Sequence, residues 1–259
     1  MAGFLFDKIV FGPVQSRRLG TSLGINLLPT GCKICSFNCI YCECGWTKGY
    51  DIDNTLFPPA ALVKDLLEKK LIEYNHTKDF PDAISFAGNG EPTLHPEFSE
   101  IIDFTIELRN KYSPFSKIAV LSNASMLQIS SVVNALLKVD KNILKLDAGT
   151  ENTFLLINKP FENISFSEIV SNLKQFKSGL IIQTLFLRGE NHGKRIDNTT
   201  EFEVQAWLHI LSELKPESVM IYPIARETPL SGLEKISLSE LNTIAEKARE
   251  IGLNVEVYY

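Results

Sequence analysis

The sequence predicts an α/β fold whose strands run parallel, and three observations lead there. After Pro58, short apolar runs alternate with longer stretches of helical periodicity, as in successive strand–helix–strand units. Several of those runs, Ala83–Ala87 and Leu180–Leu187 among them, are nearly all apolar, as strands covered on both faces are. A length of 259 residues suits one sizeable core, and no repeat, low-complexity tract or linker divides the chain, so residues 1–259 are expected to form one domain. Right-handed crossovers then give a parallel sheet, either open or closed into a barrel.

The strand-like runs are Gly24–Leu28, Ala83–Ala87, Lys117–Leu121, Ile143–Leu146, Leu180–Leu187, Ser218–Tyr222 and Asn254–Tyr258. The helical stretches are Pro59–Asn75, Pro96–Tyr112, Met126–Lys138, Ser165–Ser178, Glu201–Lys215 and Leu238–Ile251. In the first of these, Leu62, Leu66, Leu67, Leu71 and Ile72 recur at helical spacing. The last has a start signal, Ser237 followed three residues later by Glu240, which together make a capping box. In parallel α/β folds ligands sit where the strands end. The unusual segments fall there: a cysteine loop, Gly88–Pro92, Ser122–Ser125, Asp147–Thr150 and Pro223–Arg226.

A net charge of −5 provides no global basic footprint and weighs against avid, non-specific nucleic-acid binding. Asp7 and Lys8 interrupt the N-terminal stretch where a signal peptide has its apolar core, and no apolar run approaches the roughly 20 residues that span a bilayer. The expectation is a cytoplasmic protein without membrane partners. All five cysteines lie between Cys32 and Cys44. A disulfide framework would spread them along the chain, so the clustering favours metal binding in a reducing compartment.

Three of them form Cys35-Ser-Phe-Asn-Cys39-Ile-Tyr-Cys42, a C-x3-C-x2-C loop. Three thiolates on one short loop hold three corners of a cubane iron–sulfur cluster and leave the fourth iron open for chemistry. The competing readings are a zinc site and inert core thiols; zinc usually takes two separated ligand pairs, and neither a second pair nor a nearby histidine follows. Cys32 and Cys44 read as spare thiols beside the loop. Of the histidines, only His95 falls near the site, and there it reads as a helix-entry residue before Pro96. Arg17, Arg18, Lys33 and Lys48 give the rim a basic bias that suits a phosphate-bearing substrate or a solvated face equally.

The cysteine loop, with aromatic Tyr41 immediately before its last cysteine, resembles the cluster-binding signature of the radical S-adenosylmethionine superfamily. The resemblance implies a partial (β/α)6 TIM-like barrel and an oxidoreductase-type enzyme. It also implies a [4Fe–4S] cluster on Cys35, Cys39 and Cys42, with S-adenosyl-L-methionine chelating the fourth iron. Reductive cleavage of the sulfonium would then give a 5′-deoxyadenosyl radical that takes hydrogen from an unidentified substrate, with the protein orienting the cofactor and excluding water. Gly88-Asn89-Gly90-Glu91-Pro92 resembles the superfamily's Gly-Gly-Glu-Pro motif, which meets the methionine amino group. Asn89 replaces a glycine there, a change that left-handed geometry would accommodate. Ser122 and Asn123 are expected to reach the methionine carboxylate or ribose. Asp147 is expected to hold ribose, substrate or a neighbouring lysine, Gln183 is a further expected cofactor contact, and Ile221–Ile224 are expected to lie against adenine.

Phe11-Gly-Pro-Val-Gln-Ser-Arg-Arg-Leu-Gly20, Lys145-Leu-Asp-Ala-Gly149, Ile157-Asn-Lys-Pro160 and Tyr222–Pro229 resemble a narrower branch. It comprises bacterial iron–sulfur oxidoreductases related to archaeal 4-demethylwyosine synthase. The wyosine-forming enzymes carry a second cluster on three further upstream cysteines, whereas here Cys32 alone precedes Cys35. The expectation is therefore radical chemistry on a small molecule, peptide or RNA, with flavodoxin or ferredoxin as reductant. Transfer-RNA modification, or a non-catalytic iron–sulfur or zinc protein, stand as the alternatives.

Overall fold

The computed structural model describes residues 3–47, 57–161, 164–191 and 193–259. Lys48 and His192 lie outside these. The chain opens with an antiparallel pair, β1 (Val10–Ser16) and β2 (Gly20–Ile25). From β2 the sheet continues parallel through β3 (Ala83–Phe86), β4 (Lys117–Ser122), β5 (Lys141–Lys145), β6 (Leu180–Asn191), β8 (Ser218–Pro223) and the short β10 (Val255–Val257). The α/β expectation is met, the parallel strands running in sequence order as a partial barrel does, with β10 extending the six by one. The sheet does not close: β1 and β10 are its two edges.

Helices α1 (Ala60–Thr77), α2 (Phe98–Tyr112), α3 (Ser130–Leu136), α4 (Glu151–Asn158), α5 (Phe166–Leu173), α6 (Glu201–Leu214) and α7 (Leu238–Glu250) make the crossovers. Their apolar faces bury one side of the sheet. Alternate strand residues Leu23, Ile84, Phe86, Ile118, Val120, Leu144, Ile182, Val219 and Ile221 join them in the main core. Ser237 and Glu240 do form the capping box at α7, and Ser165 with Glu168 forms another at α5.

The other side of the sheet is concave and organised in layers. Ala83, Ala119, Ile143, Ile181 and Met220 pack with Leu19 in a separate inner cluster. Two residues further along the same strands, hence on the same face, stand Ser85, Leu121, Lys145, Gln183 and Tyr222. A greasy floor thus carries a more polar middle layer, and the cysteine loop covers the C-terminal ends of the strands.

Several elements differ from expectation. The first parallel strand is Gly20–Ile25, starting before the expected Gly24 and stopping short of the expected Leu28, because the Asn26 side chain donates to Leu28 O (2.9 Å) and accepts from Leu28 N (3.2 Å), turning the chain. β1 and α4 had not been expected. Neither had β7 (Lys194–Asp197) and β9 (Glu234–Lys235), which pair with the outer half of the long β6. α4 is only eight residues long, capped by Thr150, which accepts from Thr153 N.

Candidate radical-chemistry site

The cysteine loop lies across the C-terminal ends of β3 to β6 and is held by backbone bonds from two sides. Ile34 N donates to Asn89 O (3.0 Å) and Glu91 N to Ile34 O (3.1 Å). On the other flank Asn38 N donates to Asn158 O (3.0 Å), Ile40 N to Ile157 O (2.9 Å), and Phe161 N to Ser36 O (3.0 Å). The close approach explains Gly90: its φ is +138°, and a Cβ would stand 1.7 Å from Ile34 O.

Cys35, Cys39 and Cys42 all line one cavity of about 130 Å³, shared with Gly88, Gly90, Glu91 and Lys33. Cys35 and Cys39 are buried. Asn123 Nδ2 lies 3.6 Å from Cys35 Sγ, and Asn158 Nδ2 lies 3.5 Å from Cys39 Sγ, each an amide N–H directed at sulfur. Among the described residues no three His, Cys, Asp or Glu groups converge to hold a single metal ion. A zinc tetrahedron needs that convergence; a cubane, with each thiolate on its own iron, does not. The donor set therefore fits a [4Fe–4S] cluster: three thiolates, amide donors toward two of them, and a cation alongside.

That cation is Lys33, only 6% exposed, whose ammonium donates to Gly45 O (2.9 Å). Burial works against its charge, yet the three surrounding cysteines hold its pKa above the ordinary lysine value. The same burial pushes the Cys35 thiol up to about 12 and raises Cys39. Cys42 goes the other way: the hydrogen bond with Cys44 and the charge of Lys33 favour its thiolate. Lys33 was expected on a basic rim; it is instead an interior group. Cys32 is exposed, while Cys44 lines the cavity with its thiol 3.5 Å from Gly88 O.

Glu91 is 2% exposed, and its carboxylate accepts from Thr93 N (3.1 Å), Ser122 Oγ (2.7 Å) and Asn123 N (2.6 Å). Burial raises its pKa, and those donors oppose the rise. Glu91 thus ties the Gly88–Pro92 turn to the end of β4, leaving the backbone of Gly88 and Gly90 on the cavity. Asn89 has no left-handed φ. Its side chain is wholly buried, donating to Phe6 O and Pro29 O (2.9 Å each) and accepting from Phe6 N (2.8 Å). Pro92 begins a turn of 3-10 helix, Pro92–Leu94, and is buried. Ser122 and Asn123 line the cavity, with Asn123 Nδ2 also donating to Ser36 Oγ (2.8 Å).

Asp147 has no exposed side-chain surface and does not line the cavity. Its carboxylate accepts from Tyr41 Oη, from Asn158 Nδ2 (2.8 Å) and from Leu185 N (2.9 Å), with Lys145 Nζ at 3.3 Å. Lys145 also donates to Tyr41 Oη. Burial opposes the Lys145 charge, but Asp147 holds its pKa above the ordinary value; burial and Asp147 raise Tyr41 well above the usual phenol. Tyr41 and Gln183 line the cavity, and Gln183 accepts from Arg18. Thr184, the next residue on β6, faces the helices and donates to Leu146 O. Tyr222 and Ile224 line an adjoining cavity, whereas Ile221 is core. His95 is a helix-entry residue: its Nδ1 accepts from Glu97 N (3.1 Å) and its Nε2 faces Pro58 O (2.8 Å).

Sequence reasoning overlooked Asn158 and Lys145 as site residues. Both lay in segments singled out only as echoes, and a lysine inside the apolar run Ile143–Leu146 was the available signal.

Comparison with known proteins agrees with this geometry. The Radical SAM superfamily model matches residues 31–200. A Synechocystis UPF0026 protein is 33% identical over 226 residues, 85% of this chain and 77% of that protein. UPF0026 protein MJ1312 of Methanocaldococcus jannaschii is 33% identical over 213 residues, 80% of this chain and 61% of that protein. A Brachyspira hyodysenteriae protein named GTPase Obg is 30% identical over 265 residues, 98% of this chain but 35% of that protein. This chain thus spans about a third of the one and under two thirds of the other, and it contains no Gly-x4-Gly-Lys-Ser/Thr loop. In fold it is similar to a radical SAM methyltransferase from Sphaerobacter thermophilus (TM-score 0.65, 13% identity, 92% of this chain and 66% of that one). It is also similar to archaeal TYW1 (TM-score 0.51, 14% identity, 88% and 71%).

Proposed function

This chain belongs to the radical SAM superfamily, an enzyme class built on a [4Fe–4S] cluster and S-adenosylmethionine, and we propose that it takes a hydrogen atom from a substrate held on the concave face of its sheet. When bound, cluster and cofactor supply an electron and the sulfonium bond whose cleavage yields the abstracting radical. In this reading Cys35, Cys39 and Cys42 hold the cluster. The Gly88–Gly90 backbone, Ser122 and Gln183 border the cofactor. Glu91 and Asp147 act behind them: the first fixes the glycine turn against β4, the second fixes Tyr41 and with it the cysteine loop. The apolar floor beneath excludes water and stray hydrogen donors.

One observation carries this reading: three cysteines and the glycine turn border a single cavity beside a buried lysine. The electron comes from a flavodoxin- or ferredoxin-type donor. The wyosine reaction is the weaker reading, because the wyosine-forming enzymes use three further upstream cysteines where this chain has Cys32, an exposed residue.

Anaerobic reconstitution tests the proposal. Wild-type protein should carry about four irons and release 5′-deoxyadenosine with dithionite. Ala at Cys35, Cys39 or Cys42 should remove both properties, while Cys44→Ala should keep the iron. A fully loaded protein that never cleaves the cofactor ends the idea.

A further inference from the structure

We propose that the concave cavity beneath Arg17 and Arg18 is an oxyanion subsite, and that the substrate is a small molecule bearing a phosphate or carboxylate. This deepens the reading above, since it names what the radical acts on, but the binding itself needs no turnover.

The cavity measures about 450 Å³, within the range of small-molecule sites, and lies between the β1–β2 turn and the middle layer of the sheet. It adjoins the cysteine cavity through Leu121, which lines both. A side cavity lined by Tyr41 and Cys42 also reaches Arg17 and Arg18. A ligand anchored at the arginines would therefore extend toward the cluster loop.

Its charge is unbalanced. Arg17, Arg18 and Arg226 line it against one carboxylate, Glu43, and Arg226 already pairs with Glu43 at 2.6 Å. Among the described residues the two remaining guanidiniums have no acidic partner. Arg18 Nη1 donates to Gln183 Oε1 (2.7 Å), and its guanidinium lies 4.6 Å from the centroid of the Tyr222 ring; both partners are neutral. Arg17 makes no hydrogen bond or ion pair among the described residues. The turn that presents them is braced, Ser16 Oγ accepting from Arg18 N (3.3 Å) and Leu19 N (3.2 Å).

The opposite wall supplies another donor. Ser22 and Ser85 hydroxyls, 1% and 6% exposed, lie 2.7 Å apart and line the cavity. One donates to the other, which leaves one hydroxyl hydrogen with no acceptor among the described residues. Two guanidiniums and a spare O–H are a donor set for an oxygen anion, since arginine's planar fork matches phosphate and carboxylate alike. The net charge of −5 on the whole sequence gives no broad basic footprint for a phosphodiester chain, so the local excess of arginine suits a compact anion better.

Equilibrium dialysis of the cluster-loaded protein with labelled inorganic phosphate, and separately with labelled acetate, tests this. Saturable binding should weaken at least about tenfold in Arg18→Gln, as loss of a charged donor does. Arg17→Gln, at an exposed side chain, should weaken it too and answers any objection that Arg18→Gln is misfolded. Arg195→Gln, on the distant β7, serves as control and should bind as wild type. Binding of phosphate alone, or of acetate alone, identifies the anion within the proposal. Binding of neither, or binding indifferent to both arginines, overturns it. So does arginine-dependent capture of a short single-stranded RNA when neither free anion binds. Anion binding in a protein that fails to yield 5′-deoxyadenosine would sink the radical reading and leave this one standing.

Discussion

Tyr41 donates its phenolic hydrogen to Asp147, joining the residue before the third cysteine to the end of β5 across 106 positions of sequence. Tyr41→Phe removes that donor and leaves Lys145 without the phenol it also contacts. The fold should lose about 1–3 kcal/mol in urea titration, as for a buried polar group left unpaired. Iron should also leave faster to a chelator. Unchanged release would show that the loop is held without this tie.

Lys33→Met should make the cluster harder to reduce. A buried ammonium beside three cysteines favours the more negative, reduced state, so its removal should shift the potential down by on the order of 100 mV. Potentiometric titration followed by electron paramagnetic resonance measures this, and Lys33→Arg should recover most of the shift. Equal potentials in wild type and Lys33→Met would contradict the assignment.

Gly90→Ala should fail structurally before it fails chemically. The added methyl meets the Ile34 carbonyl at 1.7 Å, and φ of +138° is costly for alanine. The cysteine loop must then move off the turn, so a destabilisation above about 3 kcal/mol is expected. Gly179→Ala, with open space around its Cβ, should cost much less. Similar melting temperatures for the two variants would remove the close-approach argument.

His95 predicts an acid-side loss of stability. Burial lowers its pKa below the ordinary 6.5, so the neutral ring is favoured in the fold. Its contribution is complete above that value and is lost as pH falls through the lower, folded one. His95→Asn keeps an acceptor where Nδ1 meets Glu97 N and does not titrate, so it should flatten the stability profile as pH falls below about 6.5. Equal slopes for wild type and variant in denaturant titrations would refute it.

Much of this architecture could be read along the chain because its signals are local. The period of apolar residues separates α1 from β3, and the cysteine spacing marks its loop without any knowledge of the fold. β1 escaped because Gly12-Pro13 reads as a turn, although an edge strand tolerates a proline. α4 escaped because eight residues carry too few turns to show a period. The site's second layer is illegible for another reason. Asp147 stands at a strand end where a ligand was expected, and only three dimensions reveal that Tyr41, Asn158 and Leu185 already use its oxygens. Lys33 is likewise indistinguishable from a surface lysine until the loop folds over it.

Asn158 reaches back 119 residues to the sulfur of Cys39, and its neighbours carry the backbone on which residues 36–40 rest. A nascent chain that has exposed only its cysteines therefore possesses ligands but no cradle. Docking of α4 completes that cradle, so a chain truncated before this helix would keep the three thiols but lose the backbone and amide donors that hold their loop.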